Sequence, residues 1–254
     1  MIAVKVAAWQ APLLPAGSMQ ALHLIQVRVA WCEAEGISIL CCPEAILGGL
    51  ADYSESPGAF AIDTRDGRLD TLLAPLASHT VTTIVGFTEV AENGRLYNAA
   101  AVFERGAVTG IYRKLHPAIR RSVYHAGTDT PVFRIAGLTF GIVICNDSNF
   151  PEPARLMAGQ GAVALFIPSN NGLPAIRSNA ALVDHTRSVD IAMAVEHGVW
   201  VVRADVAGDN GALRSYGSSS IVDPRGTVIQ SSRPLSEDLI FAEIGPPSAG
   251  YQIA

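Results

Sequence analysis

The chain has 254 residues, of which 49% are hydrophobic and 16% are charged. At about 150 residues per typical domain, this length predicts one α/β domain over residues 1–254, with enough apolar surface to bury a real core. The 18 Lys and Arg residues against 23 Asp and Glu residues give a formal net charge of −5. Because phosphate recognition needs clustered Lys and Arg, this balance argues against nucleic acid as a partner.

The sequence predicts neither export nor membrane insertion. The first ten residues contain no basic region followed by a long apolar stretch, and no run approaches about 18 uninterrupted apolar residues. The cysteines are too few and too irregularly spaced for a disulfide scaffold or a zinc ribbon; they are Cys32, Cys41, Cys42 and Cys145. We therefore expect a cytoplasmic protein without a membrane partner, in which the thiols are either core packing or chemically active.

Short β-rich runs alternate with amphipathic helical stretches, which is typical of a layered α/β fold. In the first half, the pattern predicts strands at 3–8, 37–42, 80–90, 99–104 and 107–113, and helices near 22–32 and 69–76. In the second half, it predicts strands at 138–144, 162–167, 199–206, 219–222, 226–229 and 239–244, and helices at 154–158 and 180–196. No linker or repeat interrupts the alternation, so we expect a single domain.

Three chemically reactive side chains follow three of these predicted strands. Glu44 comes after the strand at 37–42, Lys114 directly follows the strand at 107–113, and Cys145 directly follows the strand at 138–144. Strand ends present side chains from a rigid scaffold, which makes them favourable positions for chemistry. Each residue alone is weak evidence, because charged loop residues are usually solvated and most cysteines after apolar strands are inert packing.

Together, a thiol, a carboxylate and an ammonium are sufficient for acyl chemistry without a metal or a cofactor. A thiol with an ordinary pKa of about 8.5 is mostly protonated at neutral pH, so it needs a base or a nearby cation to attack well. A carboxylate can take the proton, and an ammonium can stabilise both the thiolate and the oxyanion that forms after attack. The hypothesis requires that the three side chains meet in space.

The segments around these residues add a family resemblance. They read Cys-Pro-Glu-Ala at 42–45, Tyr-Arg-Lys-Leu-His-Pro at 112–117 and Cys-Asn-Asp-Ser-Asn-Phe-Pro-Glu-Pro-Ala-Arg at 145–155. In sequence, order and approximate spacing they resemble the three signature segments of the nitrilase superfamily, the carbon–nitrogen hydrolases. The stretches at 8–10, 168–170, 194–198 and 217–226 extend the resemblance over almost the whole chain.

The resemblance implies a four-layer α-β-β-α sandwich that commonly pairs with a second copy. It also implies that Cys145 is the nucleophile, Glu44 the general base and Lys114 the oxyanion partner, with the backbone N–H of Asn146 as a second oxyanion donor. Asn170, in the segment at 168–170, becomes a candidate oxyanion or substrate contact. The reaction would attack an amide, carbamoyl or nitrile carbon, release ammonia or an amine, and leave a thioester that water hydrolyses.

The sequence departs from the family pattern after the lysine. Many members carry a second glutamate there, whereas the stretch 118–127 has no acid and its expected position holds Arg120. Arg120 or Arg121 is therefore a candidate for binding a substrate carboxylate, and the alternative is an exposed loop arginine.

A second departure follows the cysteine. The Cys-Asn-Asp form resembles N-carbamoyl-amino-acid hydrolases and argues mildly against a nitrile substrate. However, Ser148 and Asn149 stand where those enzymes often have arginines that hold a carboxylate. Two short neutral side chains cannot replace a bidentate arginine clamp, so the carbamoylase hypothesis lacks its most diagnostic part.

Other sites have little support in the sequence. The histidines lack ligand spacing on a common helix face, so we expect no metal. Asp205, Asp209 and Asp223 are predicted to be ordinary turn or loop acids. The serines at 218–220 lie in no Gly-x-Ser-x-Gly elbow, which argues against a serine hydrolase.

We therefore predict a cofactor-free thiol hydrolase that cleaves a non-peptide C–N bond of a small amide and forms a homodimer or a larger homo-oligomer. An N-carbamoyl amino acid or amine hydrolase is the nearest alternative. Two alternatives of another kind are a catalytically reduced binding or regulatory relative and an acyltransferase that uses an amine as acceptor.

Overall fold

The computed structural model describes residues 3–15 and 17–245. The helices are α1 (Gln20–Ala34), α2 (Arg68–Leu73), α3 (Pro151–Gly159) and α4 (Ala181–His197). The strands are β1 (Val4–Pro12), β2 (Ile39–Cys41), β3 (Thr82–Val90), β4 (Leu96–Glu104), β5 (Ala107–Arg113), β6 (Val132–Ile135), β7 (Leu138–Ile142), β8 (Ala164–Pro168), β9 (Leu173–Pro174), β10 (Trp200–Ala204), β11 (Val206–Asp209), β12 (Leu213–Ser215), β13 (Ser220–Val222), β14 (Val228–Ser231) and β15 (Asp238–Ile244). No helix in these ranges is both long and apolar enough to cross a membrane.

The described strands form two sheets. The larger sheet has the order β5-β4-β3-β2-β1-β11-β12-β9, with β15 paired antiparallel to β1. The smaller sheet has the order β14-β13-β10-β8-β7-β6. The central pairs β1–β2, β2–β3, β7–β8 and β8–β10 are parallel, so within each sheet their carboxyl ends lie at one edge. β5 reaches the same edge as β3, because two antiparallel pairings through β4 restore the strand direction.

The two sheets pack face to face around the main core. Inward-facing side chains from both sheets fill the space between them; they include Val6, Ile39, Ile84, Tyr112, Phe140, Phe166 and Val202. Helices α1 and α2 cover the outer face of the larger sheet through Ile25 and Leu69. Helices α3 and α4 cover the smaller sheet through Met157 and Met193. The predicted single-domain α-β-β-α sandwich is confirmed, while its extent over residues 1–254 stays a prediction.

The helix ends follow from local sequence. The chain leaves α1 through Gly36, whose φ of 67° lies in the left-handed region that favours glycine. Helix α4 ends at Gly198, where φ is 63°, as its sequence pattern predicts. Helix α2 is shorter than predicted because the chain tightens into a 3₁₀ turn, Ala74–Leu76, which contains Pro75.

The predicted strand at 199–206 is wrong, because this stretch forms parts of two strands in different sheets. β10 ends at Ala204 in the smaller sheet, and β11 begins at Val206 in the larger sheet. Asp205 between them is fully buried, and its carboxylate accepts the backbone N–H groups of Val206, Asn171 and Ser218. Because the carboxylate satisfies these buried donors, the chain can cross between the sheets there. Asp205 is therefore not the ordinary loop acid that the sequence predicts.

Candidate active site

Glu44, Lys114 and Cys145 meet where the carboxyl ends of their strands reach the edge of the sandwich. The Nζ atom of Lys114 lies 2.5 Å from Oε1 of Glu44, although 70 residues separate the two in sequence. Both charges act directly on the thiol of Cys145. The sequence predicted that the three residues are near strand ends, and the fold brings them together.

Glu44 is held in one orientation by donors on both carboxylate oxygens. Oε1 accepts from Lys114 Nζ and, at 2.8 Å, from Asn98 Nδ2 on β4. Oε2 accepts the backbone N–H of Asn170 at 3.0 Å. The side chain is 2% exposed, so bulk water contributes little to its solvation. With two donors on Oε1 and one on Oε2, Oε2 is the oxygen with spare capacity to accept a proton.

Lys114 is almost as buried as its partner, with 3% of the side chain exposed. Burial lowers the pKa of its ammonium, but the Glu44 carboxylate beside it, together with Cys145 and Asp147, raises that pKa above its ordinary value. The backbone of Lys114 is fixed as well, because its N–H donates to Asn98 and its carbonyl accepts from Gly127, both at 2.8 Å. The site therefore contains a permanent, well-positioned cation.

Cys145 begins a 3₁₀ turn, Cys145–Asn149, directly after the chain leaves β7. Its φ of 44° lies in the left-handed region, which costs a non-glycine residue about 1–3 kcal/mol. Burial of its sulfur, with a smaller contribution from Glu44, raises the pKa of the thiol to about 12, against the opposing effects of Lys114, Arg203 and the Asn170 N–H. The resting thiol is therefore protonated at neutral pH and needs a base in order to attack.

Asp147 fixes the turn that carries Cys145 to the segment that carries Lys114. Its fully buried carboxylate accepts the Tyr112 hydroxyl at 2.8 Å and the backbone N–H groups of Leu115 and His116 at 3.3 and 2.6 Å. It also accepts the N–H of Ile144, the residue before the cysteine. Burial raises the pKa of Asp147, and these donors and Lys114 oppose the rise. No local sequence pattern predicted this positioning role of Asp147.

Arg203, on β10 of the smaller sheet, supports the same turn. It forms a bidentate ion pair with Asp190 on α4, and Nε of the arginine lies 2.8 Å from Oδ2. Nη1 donates to Ser169 at 2.6 Å, and Nη2, which also contacts Asp190, donates to Ser148 at 3.1 Å. Ser148 in turn donates to the carbonyl of Cys145 at 2.6 Å. Ser148 is thus committed to the turn, and Arg203 adds a second buried positive charge that stabilises the thiolate.

The remaining predicted site residues are Asn146, Asn170 and Arg120. Asn146 occupies the second position of the turn, where the backbone N–H has no partner within the turn. Its side chain donates to the His116 carbonyl at 3.1 Å. Asn170 contacts Glu44 through its backbone. Arg120 lies exposed on the loop at 118–121 and makes no hydrogen bond or ion pair with any described residue. The assignment of Arg120 to a substrate carboxylate stays a prediction.

Four polar residues of this site were not predicted from the sequence: Asn98, Asp147, Asp190 and Arg203. Their signal is present in the sequence, since Arg203 interrupts an apolar run predicted to be a strand and Asp190 lies within a predicted helix. A buried polar residue requires a partner, so such interruptions indicate networks. The identity of the partners depends on the tertiary fold.

The fold and the site define a class: an α-β-β-α sandwich of the nitrilase type, with a thiol beside a buried carboxylate–ammonium pair. The sequence model of the carbon-nitrogen hydrolase family matches residues 5–251. The chain therefore belongs to the carbon–nitrogen hydrolase family, in the amidase-like branch of the nitrilase superfamily, and is an amidase-type hydrolase of C–N bonds.

Similar proteins support the assignment to this family. A protein of Pseudomonas protegens described as the hydrolase in the pqqF 5′ region is 32% identical over 250 residues, covering 95% of this chain and 82% of the relative. The 2-oxoglutaramate amidase of Bacillus subtilis is 31% identical over 220 residues, covering 84% and 80%. The crystal structure of a Saccharomyces cerevisiae member of branch 10 of the superfamily has a TM-score of 0.81 at 23% identity, covering 96% and 90%. This structural similarity is evidence for the fold.

Proposed function

We propose that the protein hydrolyses a small amide through a thioester at Cys145 and releases ammonia or an amine. The observation that carries this proposal is the buried contact of 2.5 Å between Lys114 and Glu44 beside the thiol. It supplies a base and a cation at one position, and these are the two groups that a protonated thiol needs for attack on a carbonyl.

In the first step, the sulfur of Cys145 attacks the amide carbon while its proton moves to Oε2 of Glu44. The C–S bond forms, and the carbonyl π electrons move onto the oxygen. The ammonium of Lys114 and the backbone N–H of Asn146 are the proposed donors to this oxyanion. Because Oε1 already accepts from Lys114 and Asn98, proton transfer to Oε2 leaves those hydrogen bonds in place.

In the second step, the oxyanion collapses and the C–N bond breaks. The proton held by Glu44 goes to the leaving nitrogen, so ammonia or an amine departs and a thioester remains on Cys145. Water then attacks the thioester and gives its proton to Glu44. The C–S bond breaks, the sulfur recovers the proton, and a carboxylic acid is released.

The same steps can act on a carbamoyl carbon. If an amine replaced water in the attack on the thioester, the protein would be an acyltransferase. A fold retained for binding would instead show no turnover. The retention of Glu44, Lys114 and Cys145 in one buried cluster supports an active enzyme, because the pair is costly to bury without a role.

The test is ammonia release from simple amides, N-carbamoyl amino acids and nitriles, with the Cys145→Ala variant beside the wild type. Cys32→Ala is the matched control, since Cys32 is a core cysteine on α1. We expect turnover by the wild type and the control and none by Cys145→Ala. Turnover by Cys145→Ala would exclude the thioester mechanism, and product formation only with an added amine would favour acyl transfer.

We also propose a cytoplasmic homodimer or larger homo-oligomer that uses no cofactor. We expect the interface between copies to cover Leu156 on α3 and Val195 on α4, which are exposed apolar side chains. Analytical ultracentrifugation of the purified protein would test the assembly, and a monomer at micromolar concentration would contradict it.

A further inference from the structure

The backbone around Glu44 lies directly on Gly86, at the inner face of β3. Gly86 faces the same side of β3 as Ile84, whose side chain packs between the two sheets. A Cβ atom at position 86 would lie 2.5 Å from the backbone nitrogen of Ala45 and 2.9 Å from Cα of Glu44, and closer still to the Pro43 carbonyl oxygen. Cβ atoms essentially never lie so close to backbone atoms, so a side chain at this position would displace the segment that carries Glu44.

This segment is also held on its other sides, so it has little room to yield. The backbone N–H of Glu44 donates at 3.2 Å to the carbonyl of Ser169, which directly follows β8 in the smaller sheet. The Leu47 N–H donates to the Gly86 carbonyl at 3.1 Å. Ala45 has a φ of 46°, a left-handed conformation that a non-glycine residue keeps only where its surroundings enforce it. A displacement at position 86 would therefore be passed on to the Glu44 carboxylate.

A second glycine lies equally close to the backbone that carries Lys114. A Cβ atom at position 127 would lie 2.9 Å from the carbonyl carbon of Arg113, and closer still to the carbonyl oxygen. That carbonyl belongs to the peptide unit that joins Arg113 to Lys114. The Gly127 N–H donates to the Lys114 carbonyl at 2.8 Å, so the two segments are already in contact. A side chain at position 127 would therefore displace the backbone of Lys114.

We propose that Gly86 and Gly127 are positioning residues that set the distance between the base and the cation of the site. Each glycine leaves the space in which the backbone of one member of the Glu44–Lys114 pair lies. Neither glycine has a positive φ, so the requirement is for space and not for an unusual backbone conformation. This inference rests on the proposed thiol-hydrolase function, because the two glycines act through the groups to which that function assigns the chemistry.

The first experiment measures steady-state kinetics of amide hydrolysis by Gly86→Ala. We expect kcat to fall about 100-fold with KM nearly unchanged, because a misplacement of about 1 Å at a catalytic group costs a factor of this size. Gly110→Ala is the matched control. Gly110 lies in the same sheet on β5, also without a positive φ, and a Cβ atom there would overlap the ring of Phe133, a half-buried side chain that can move. We expect this control to keep the kcat of the wild type.

The double variant Glu44→Gln, Gly86→Ala shows whether Gly86 acts through the base. We expect Gly86→Ala to lower kcat far less in the Glu44→Gln background than in the wild type, because the group that it misplaces is already inactive. A structural effect that is independent of Glu44 would instead lower kcat by the same factor in both backgrounds. Equal factors in the two backgrounds, equal losses in Gly86→Ala and Gly110→Ala, or a wild-type kcat in Gly86→Ala would overturn the inference.

The second experiment uses Gly127→Ala and tests the inference even if Gly86→Ala does not fold. Lys114 opposes the rise in the pKa of the Cys145 thiol, so a displaced ammonium leaves less thiolate. We expect alkylation of Cys145 by iodoacetamide at pH 9 to be at least roughly threefold slower, because the thiolate fraction below the pKa falls tenfold for each unit by which that pKa rises. Gly110→Ala should be alkylated at the wild-type rate. A wild-type rate in folded Gly127→Ala would overturn the inference.

Alkylation needs no amide substrate, so the positioning role and the hydrolase function fail in distinguishable ways. Amide turnover that survives Cys145→Ala would overturn the mechanism on which the inference rests. Turnover that is lost in Cys145→Ala, together with a wild-type kcat in Gly86→Ala and wild-type alkylation in Gly127→Ala, would overturn the positioning role and leave the mechanism intact.

Discussion

Oδ1 of Asp147 lies 2.6 Å from the backbone nitrogen of His116, and this contact joins the nucleophile's turn to the lysine's strand end. His116 is two residues after Lys114, and Asp147 is two residues after Cys145. Because the Asp147 carboxylate contacts both segments, a shift of one segment would displace the other. The position of the thiol relative to the ammonium therefore depends on a buried side chain that takes no part in the chemistry.

The Asp147→Asn variant tests this dependence. Asparagine keeps one acceptor oxygen but replaces the other with a donor that faces backbone N–H groups, so at least one buried donor loses its partner. We expect a loss of about 1–3 kcal/mol in the free energy of unfolding. Because a small misplacement of catalytic groups is costly, we also expect a fall in kcat of about 100-fold with little change in KM.

Urea unfolding and steady-state kinetics measure the two effects separately. Asp63→Asn is a suitable control, since Asp63 forms its ion pair with Arg65 near the surface and away from the site. A variant of Asp147 with wild-type kcat would show that the contact to His116 is structural only.

Replacing Glu44 with glutamine removes the proposed base while keeping the side chain's shape. General-base catalysis typically contributes 10²–10⁴ in rate, so we expect kcat to fall by about that factor. Lys114 loses its partner in this variant, and some loss of stability will accompany the loss of rate.

The matched control for this experiment is Glu89→Gln. Glu89 is 2% exposed and forms an ion pair with Arg113, which makes it a second buried glutamate with a cationic partner outside the site. We expect this variant to lose stability but to retain kcat in its folded fraction. If both variants lose kcat equally, the effect of Glu44→Gln reflects folding rather than chemistry.

Arg203 is expected to act on the thiolate through its charge. Arg203→Met alone leaves Asp190 buried and unpaired, which typically costs about 3–5 kcal/mol. The double variant Asp190→Leu, Arg203→Met removes both charges and should recover much of that stability. We expect the alkylation of Cys145 by iodoacetamide at pH 9 to remain several-fold slower in the double variant, because the positive charge beside the sulfur is gone.

Thermal melting and mass-spectrometric alkylation rates separate the two properties. If a stable double variant had the wild-type alkylation rate, Arg203 would support the turn without affecting the thiolate.

The pH dependence of alkylation tests the state of the resting thiol. Its pKa is raised from the ordinary value to about 12, so the protonated form persists to higher pH than in a free cysteine. Below that pKa, the thiolate fraction grows tenfold per pH unit, whereas for a free thiol of pKa about 8.5 the growth ends near pH 9. We therefore expect the alkylation rate of Cys145 to keep rising between pH 8 and pH 10. A plateau that begins below pH 10, as for a free thiol, would contradict this.

Much of the fold and the three reactive residues could be predicted from the sequence. Alternating apolar runs indicate strands and helices because burial on one face imposes their period, and Gly198 and Pro75 mark helix ends through backbone sterics. Glu44, Lys114 and Cys145 stood out because reactive side chains directly after apolar runs are few.

Other features depended on long-range contacts that no local pattern contains. The break at Asp205 occurs because its carboxylate replaces strand hydrogen bonds with contacts to Asn171 and Ser218, which are 34 and 13 residues away. The roles of Asp147 and Arg203 arise in the same way, from partners on separate elements.

The most direct test of the central claim is intact-protein mass spectrometry during turnover of an amide, with peptide mapping after an acid quench. We expect a mass increase equal to the acyl group on the peptide that contains Cys145, its removal by hydroxylamine, and its absence in Cys145→Ala. Sustained amide turnover by wild-type protein and by Cys145→Ala at similar rates, with no acylated peptide in either, would contradict the account.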